Sequence, residues 1–188
     1  MSASSDKKEN RVVILSGELN EEKSEKLITR FLELEAISPA EDIMFYIDSP
    51  GGCLDSLIAV YDTIQMVRPR VVTVCLGKAM SAACVLLLGG TPGCRFMSPH
   101  SRTMLHLIRG GIFGSTKDLD EEMQEVLRLQ AMVQNIISDR TKIPPKKLEK
   151  ILKSKSTAYF TAEESLEAGI VDHVVATNSD LYKRIKQA

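Results

Sequence analysis

Residues 42–65 read DIMFYIDSPGGCLDSLIAVYDTIQ: an apolar run, a Ser-Pro-Gly-Gly break, then apolar residues at helical spacing. The run 42–47 is rich in aromatic and β-branched residues and is bounded by turn formers, which predicts a buried strand. Beyond the glycines, Leu54, Leu57, Ile58, Tyr61 and Ile64 keep a period near 3.6, the stripe of a helix packed on one side. The same order flanks this unit. Residues 11–16 (RVVILS) read as a strand ended by Gly17, and residues 20–36 as a helix with Leu27, Ile28, Phe31, Leu32 and Leu34 on one broad face. Residues 70–76 (RVVTVCL) read as a third strand, followed by Gly77 and a small-residue helix over 79–88. Strands alternating with helices at these lengths favour parallel pairing through right-handed crossovers, hence an α/β fold.

Further on, residues 102–107 (RTMLHL) read as a fourth strand left through the glycine-rich 109–114. A long helix is expected from Ser115 or Thr116, because Asp118, Asp120, Glu121 and Glu122 load its first turns with the negative charge that a helix N-terminus favours. Leu119, Met123, Val126, Met132, Val133, Ile136 and Ile137 make it amphipathic over about five turns. Pro144-Pro145 closes that region and residues 146–155 read as a short lysine-rich helix whose charges face solvent. Thr161 and Glu164 form a capping box for what reads as the last helix, and Gly169 ends it before a strand over 170–175.

The 188 residues are 44% hydrophobic, enough to bury a full core. Acidic and basic residues nearly cancel, at 25 against 24, and no basic run could neutralise a row of phosphates, so nucleic-acid binding has no electrostatic basis. The start, MSASSDKKEN, lacks the apolar stretch of a signal peptide, and no apolar run reaches the ~18 residues of a membrane span. A cytoplasmic protein without membrane contact is expected. Cys53, Cys75, Cys84 and Cys94 match no ligand spacing, so they read as buried free thiols and no metal is expected.

Three places could carry chemistry. The Ser49-Pro50-Gly51-Gly52 turn offers backbone N–H groups unobstructed by side chains, although glycine and proline also mark ordinary turns. Ser81 stands among Ala79, Ala82 and Ala83, where a substrate would meet little bulk; the same small residues would also let a structural serine pack against the sheet. Gly77 to Ser81 is not the Gly-x-Ser-x-Gly elbow of α/β hydrolases. His106 interrupts the apolar run 104–108, where an imidazole needs a partner to offset desolvation. A catalytic base and a satisfied core histidine both meet that need. His100 and His173 read as loop or surface residues.

Taken together, Asp48-Ser49-Pro50-Gly51-Gly52, Gly77-Lys78-Ala79-Met80-Ser81-Ala82, Arg95-Phe96-Met97, Ser101-Arg102 and Met104-Leu105-His106 resemble, in order and spacing, the proteolytic subunit (ClpP) family of the Clp protease. Phe160-Thr161-Ala162-Glu163-Glu164 and Ala168-Gly169-Ile170-Val171-Asp172 agree as well, so the resemblance runs from about Arg11 to Val175. It implies a crotonase/ClpP-like α/β fold of repeated strand-turn-helix units with a protruding long helix. A flexible tail over 1–10 and one ClpP-like domain over 11–188 are expected. It further implies Ser81 as nucleophile, His106 as general base and the Gly52 and Ala82 N–H groups as oxyanion hole. The subunit would sit in a tetradecamer of two seven-membered rings, homomeric or mixed, and cleave unfolded polypeptide. No cofactor is implied in the subunit itself, since a partner AAA+ unfoldase uses the ATP. Residues 110–114 and the following helix resemble the segment that joins the rings.

The chain also departs from that pattern. Where the family has its third triad residue, an aspartate two positions before the phenylalanine matched by Phe160, this sequence has Ala158, and no carboxylate occurs between Glu149 and Glu163. About three extra residues fall near 143–147, and the family's His-Gln-Pro appears as His106-Leu107-Ile108. The stretch before Arg11 is short and lacks the apolar residues of the family's axial entrance, which leaves docking to an unfoldase open. Three readings follow: a peptidase in which Ser154, Ser156, Thr157, water or a carbonyl orients His106; a weakly active or non-catalytic ring subunit beside an active paralogue; or a crotonase-type acyl-CoA enzyme sharing the fold. The presence of both Ser81 and His106 favours the first over the third.

Overall fold

Strand β1 (Val12–Ser16) and helix α1 (Glu21–Ile37) open the chain in a computed structural model that describes residues 10–108, 116–153 and 157–188. Outside these lie the expected tail as far as residue 9, Ser115 as a helix start, the glycine-rich segment 109–114, and Ser154 and Ser156. Asn20 caps α1 by accepting the Lys23 N–H, as an Asn at that position favours. Then come β2 (Ile43–Ser49), α2 (Leu54–Met66), β3 (Val71–Met80), α3 (Ala82–Leu88), β4 (Arg95–Met97) and β5 (Arg102–Leu105). The rest is α4 (Thr116–Arg140), α5 (Pro145–Lys153), β6 (Ala158–Phe160), α6 (Ala162–Glu167), β7 (His173–Val174) and α7 (Asn178–Ile185).

The sheet runs β1-β2-β3-β4-β7, all parallel, with β5 beside the second half of β3 and β6 antiparallel to β5. Side-chain alternation divides the core. Phe45, Ile47, Val71 and Cys75 face one layer with Phe31, Leu57 and the whole of α3, whereas Met44, Val72, Val74 and Phe96 face another with Leu181 and Ile185 of α7. This is the expected α/β architecture. Among the described residues no helix is long and apolar enough to cross a membrane.

The sequence reading of 70–88 is corrected. β3 does not stop at Leu76 but continues to Met80, and α3 starts at Ala82 rather than Ala79. Ile47 pairs with Cys75 but Ser49 with Ala79, so two extra residues bulge out of β3. Gly77 sits in that bulge at φ 73°, where an added Cβ would lie 3.0 Å from an Asp48 carboxylate oxygen. Before the bulge β3 pairs with β4; after it, Lys78, Ala79 and Met80 pair with β5. Gly77 thus lets one strand serve two neighbours.

Other boundaries differ by less. The fourth strand ends at Leu105, leaving His106 just beyond it, and β7 covers only His173–Val174 of the expected 170–175. α4 has 25 residues, about seven turns, somewhat longer than the five-turn stripe expected on it. Its residues 120–125 are all exposed, while Val133 and Ile137 are buried. α4 ends at Arg140, ahead of Pro144-Pro145, and Pro145 in turn opens α5 at a first-turn position, where its missing N–H costs nothing. The Thr161–Glu164 capping box is present, yet α6 is not the last helix: α7 follows, capped by Thr177.

Arg95 joins the late elements to the sheet. Its guanidinium and backbone N–H donate to the Asp172 carboxylate at 2.6–3.0 Å, and it also donates to the Arg140 carbonyl. Burial pushes the Asp172 carboxyl up, but the hydrogen bonds and charge of Arg95 outweigh it and hold the group below its ordinary 3.8. A depressed folded-state pKa contributes stability above the unfolded value, lost as pH falls through the folded one. Asp172→Asn is therefore expected to be less stable than wild type at neutral pH and to converge on it as pH falls below the carboxyl's ordinary 3.8 and through its depressed folded-state value. Urea midpoints measured across that range check this; parallel curves would contradict it.

Candidate functional site

Register brings the chemistry-bearing residues together. Met80 pairs with Met104, and the Ser81 N–H donates to the Met104 carbonyl at 2.8 Å. Ser81, one residue past β3, and His106, one residue past β5, therefore emerge from the same end of two adjacent strands, ~4.8 Å apart. Both line one cavity of about 420 Å³, whose walls include Gly52, Leu57, Val133 and Ile137. α4 thus contributes a wall that the sequence left as core or interface.

Ser81 adopts φ 53°, ψ −124°, and among the described residues it is the one non-glycine with positive φ. Such a conformation costs on the order of 1–3 kcal/mol in a non-glycine residue and persists only where surrounding structure enforces it. Here a strand turns directly into a helix at the serine, and the Ser81 side chain does not cap α3. Ser81 joins the cavity lining from a sharp turn. The elbow geometry exists without the Gly-x-Ser-x-Gly spacing, because Gly51, from another segment, provides the clearance. A Cβ on Gly51 would come within 2.8 Å of Ser81 Cβ and 3.0 Å of the Ala82 nitrogen.

Gly52 is constrained from its other side. It bridges Leu19, with the Gly51 carbonyl accepting from Leu19 N–H and Cys53 N–H donating to the Leu19 carbonyl. Those bonds use the neighbours' groups and leave the Gly52 N–H outside the bridge, in a residue that lines the cavity. A Cβ there would fall 2.0 Å from the Leu19 oxygen. The Ala82 N–H belongs to the first residue of α3, which no preceding turn of helix can satisfy. Two backbone donors, a hydroxyl and an imidazole thus border one space.

His106 lines the cavity, and its Nδ1 is a buried atom. Ala158 pairs with Leu105 across the β5–β6 ladder, next to the histidine. Where the resemblance calls for a carboxylate, a methyl group stands. Thr157, half-buried, directly precedes it. His100 is exposed; His173 is half-buried and lies against the Phe96 ring at 5.1 Å, so it belongs to the sheet rather than to a loop.

All four cysteines are free, and Cys75, Cys84 and Cys94 are buried. Burial pushes the Cys75 and Cys84 thiols up to about 12, so neither supplies a thiolate near neutral pH. Cys53 departs from the expectation: it is half-exposed and lines the cavity beside Gly52. A family model described as Clp protease matches residues 3–178 of this chain.

Proposed function

The chain belongs to the Clp protease family, and on that premise we propose that it is a serine peptidase subunit working through Ser81 and His106. The observation that carries the reading is the strained Ser81 turn, packed against Gly51 and sharing a cavity with His106. In this reaction Ser81 Oγ bonds to the peptide carbonyl carbon as its proton passes to His106 Nε2, and the carbonyl π pair moves onto oxygen. The Gly52 and Ala82 N–H groups donate to that oxyanion. Collapse breaks the C–N bond, His106 returns the proton to the leaving amine, and water then releases the acyl group by the same steps.

The substrate is unfolded polypeptide, admitted to a chamber formed by two stacked rings of seven, with ATP used by a partner unfoldase. Support for stacking comes from α4, where Met123 and Leu127 are exposed at 46% and 55%, one turn apart on the projecting half. Native mass measurement is expected to find fourteen chains, alone or with a co-expressed paralogue. A monomer at micromolar concentration would count against the assembly.

Ala158 favours a second reading within the same family, a slow or inactive subunit that assembles beside an active one. Hydrolysis of a fluorogenic peptide by the assembled protein tests the activity. Turnover well below a typical enzyme's ~10 s⁻¹ that is stopped by a fluorophosphonate supports the peptidase; turnover indifferent to that reagent would contradict it.

A further inference from the structure

Gln130 of α4 accepts a hydrogen bond from the Ile108 N–H through Oε1 at 2.9 Å, across 22 residues of sequence. We propose that Gln130 is a positioning residue for the base, clamping the backbone just beyond His106 to the helix that walls the cavity. The proposal rests on the assignment of His106 and Ser81 above.

Three observations carry it. First, among the described residues the β5 ladder ends at Leu105, opposite Ala158, so residues 106–108 lie beyond its last described pair. The Leu105 pairing fixes one end of this short span, and the Gln130 bond fixes its other end. Second, Gln130 lies three and seven residues before Val133 and Ile137, which puts all three on the inward stripe of α4. Val133 and Ile137 line the cavity, so the helix carrying the clamp is also the cavity wall. Third, an apolar residue would fill that stripe more cheaply than an amide. Acceptance from a main-chain N–H fixes which end of the amide is oxygen, and the remaining Nε2 is buried without a hydrogen bond among the described residues. A polar side chain kept at that cost does its work through its carbonyl. With alanine at position 158, backbone anchoring on both sides of His106 carries more of the task of aiming the imidazole.

The test combines amide hydrogen exchange at Ile108 with the rate at which a fluorophosphonate labels Ser81, both in the full-length assembled protein. Gln130→Met keeps length and apolar contact but removes the acceptor, and is expected to lose Ile108 protection and to label at least tenfold more slowly. Gln130→Glu, whose carboxylate still accepts, is expected to stay within about threefold of wild type. Ile108→Pro removes the donor, and in that background Gln130→Met is expected to have no further effect, as two partners in one bond are not additive. Unchanged Ile108 exchange, or an unchanged labelling rate in Gln130→Met, overturns the positioning role. Failure of the wild type to label at Ser81 overturns instead the assignment of nucleophile and base, and the positioning role with it.

Discussion

Ser81→Ala is expected to lower peptide turnover at least about 10²-fold while leaving fold and ring size unchanged. The magnitude follows from what the triad has already lost. In a serine protease with all three residues, removing the serine costs about 2 × 10⁶ in kcat. Spoiling the acid alone costs up to about 10⁴. Because triad members act as a unit, a protein with Ala158 has forfeited much of the second quantity before Ser81 is touched, and roughly 10² is what remains to lose. The change deletes one oxygen at a residue whose conformation is held by Gly51 packing and by the bond from its own N–H to Met104. Neither constraint involves the hydroxyl. Thermal unfolding and native mass should therefore match wild type, and retained turnover in the mutant would remove Ser81 from the mechanism.

Ala158→Asp is expected to raise kcat at least about tenfold, or ~1.4 kcal/mol of barrier, with a ceiling near the 10⁴ that an acid contributes in a complete triad. Position 158 lies in β6, antiparallel to β5 and opposite the residue before His106, so the carboxylate would enter on a strand already docked. A carboxylate there would accept the Nδ1 proton, fix the tautomer that leaves Nε2 basic, and offset the charge that forms on the ring. Its cost is desolvation, moderated because Ala158 is half-buried rather than fully enclosed. The measurement is fluorogenic-peptide turnover by wild type and mutant at matched ring concentration. A wild type already near ~10 s⁻¹ with no gain in the mutant would show that another group orients His106. Thr157, the neighbouring hydroxyl, would then be the first to test.

Periodicity made most of the architecture readable. α1 and α2 are long and keep their apolar stripes, and β1 and β2 are bounded by turn residues, so local pattern and tertiary role agree. The reading failed where one residue serves the tertiary structure against its local meaning. Gly77 punctuates the sequence like a strand end, but β5 is there to pair with the far side of the bulge, and that partner lies 24 residues further on. A helix read from Ala79 puts Ser81 in its first turn, whereas Ser81 stands at the turn between β3 and α3. β4 and β6, three residues each, are too short to show a period. α7 offered Thr177 as a cap with Leu181 and Ile185 one turn apart, a signal that eight residues make easy to overlook.

Ser81, His106 and the Ser49–Gly52 turn stand out in the sequence itself, the resemblance supplies their roles and adds Ala82, and the fold brings Ser81, His106, Gly52 and Ala82 to one cavity. Ala158 was conspicuous through the same resemblance. What no sequence pattern indicated was the wall supplied by Val133 and Ile137 and the Gln130–Ile108 bond, because both depend on how α4 packs on α3 and meets the segment beyond β5.

The most direct test of the account is to treat the wild-type protein with a fluorophosphonate and locate the adduct by peptide mass spectrometry. The account predicts a single adduct, on Ser81, formed slowly in wild type and faster in Ala158→Asp. An adduct on another residue, or none on Ser81 in either protein, would contradict the assignment of this turn as the nucleophile.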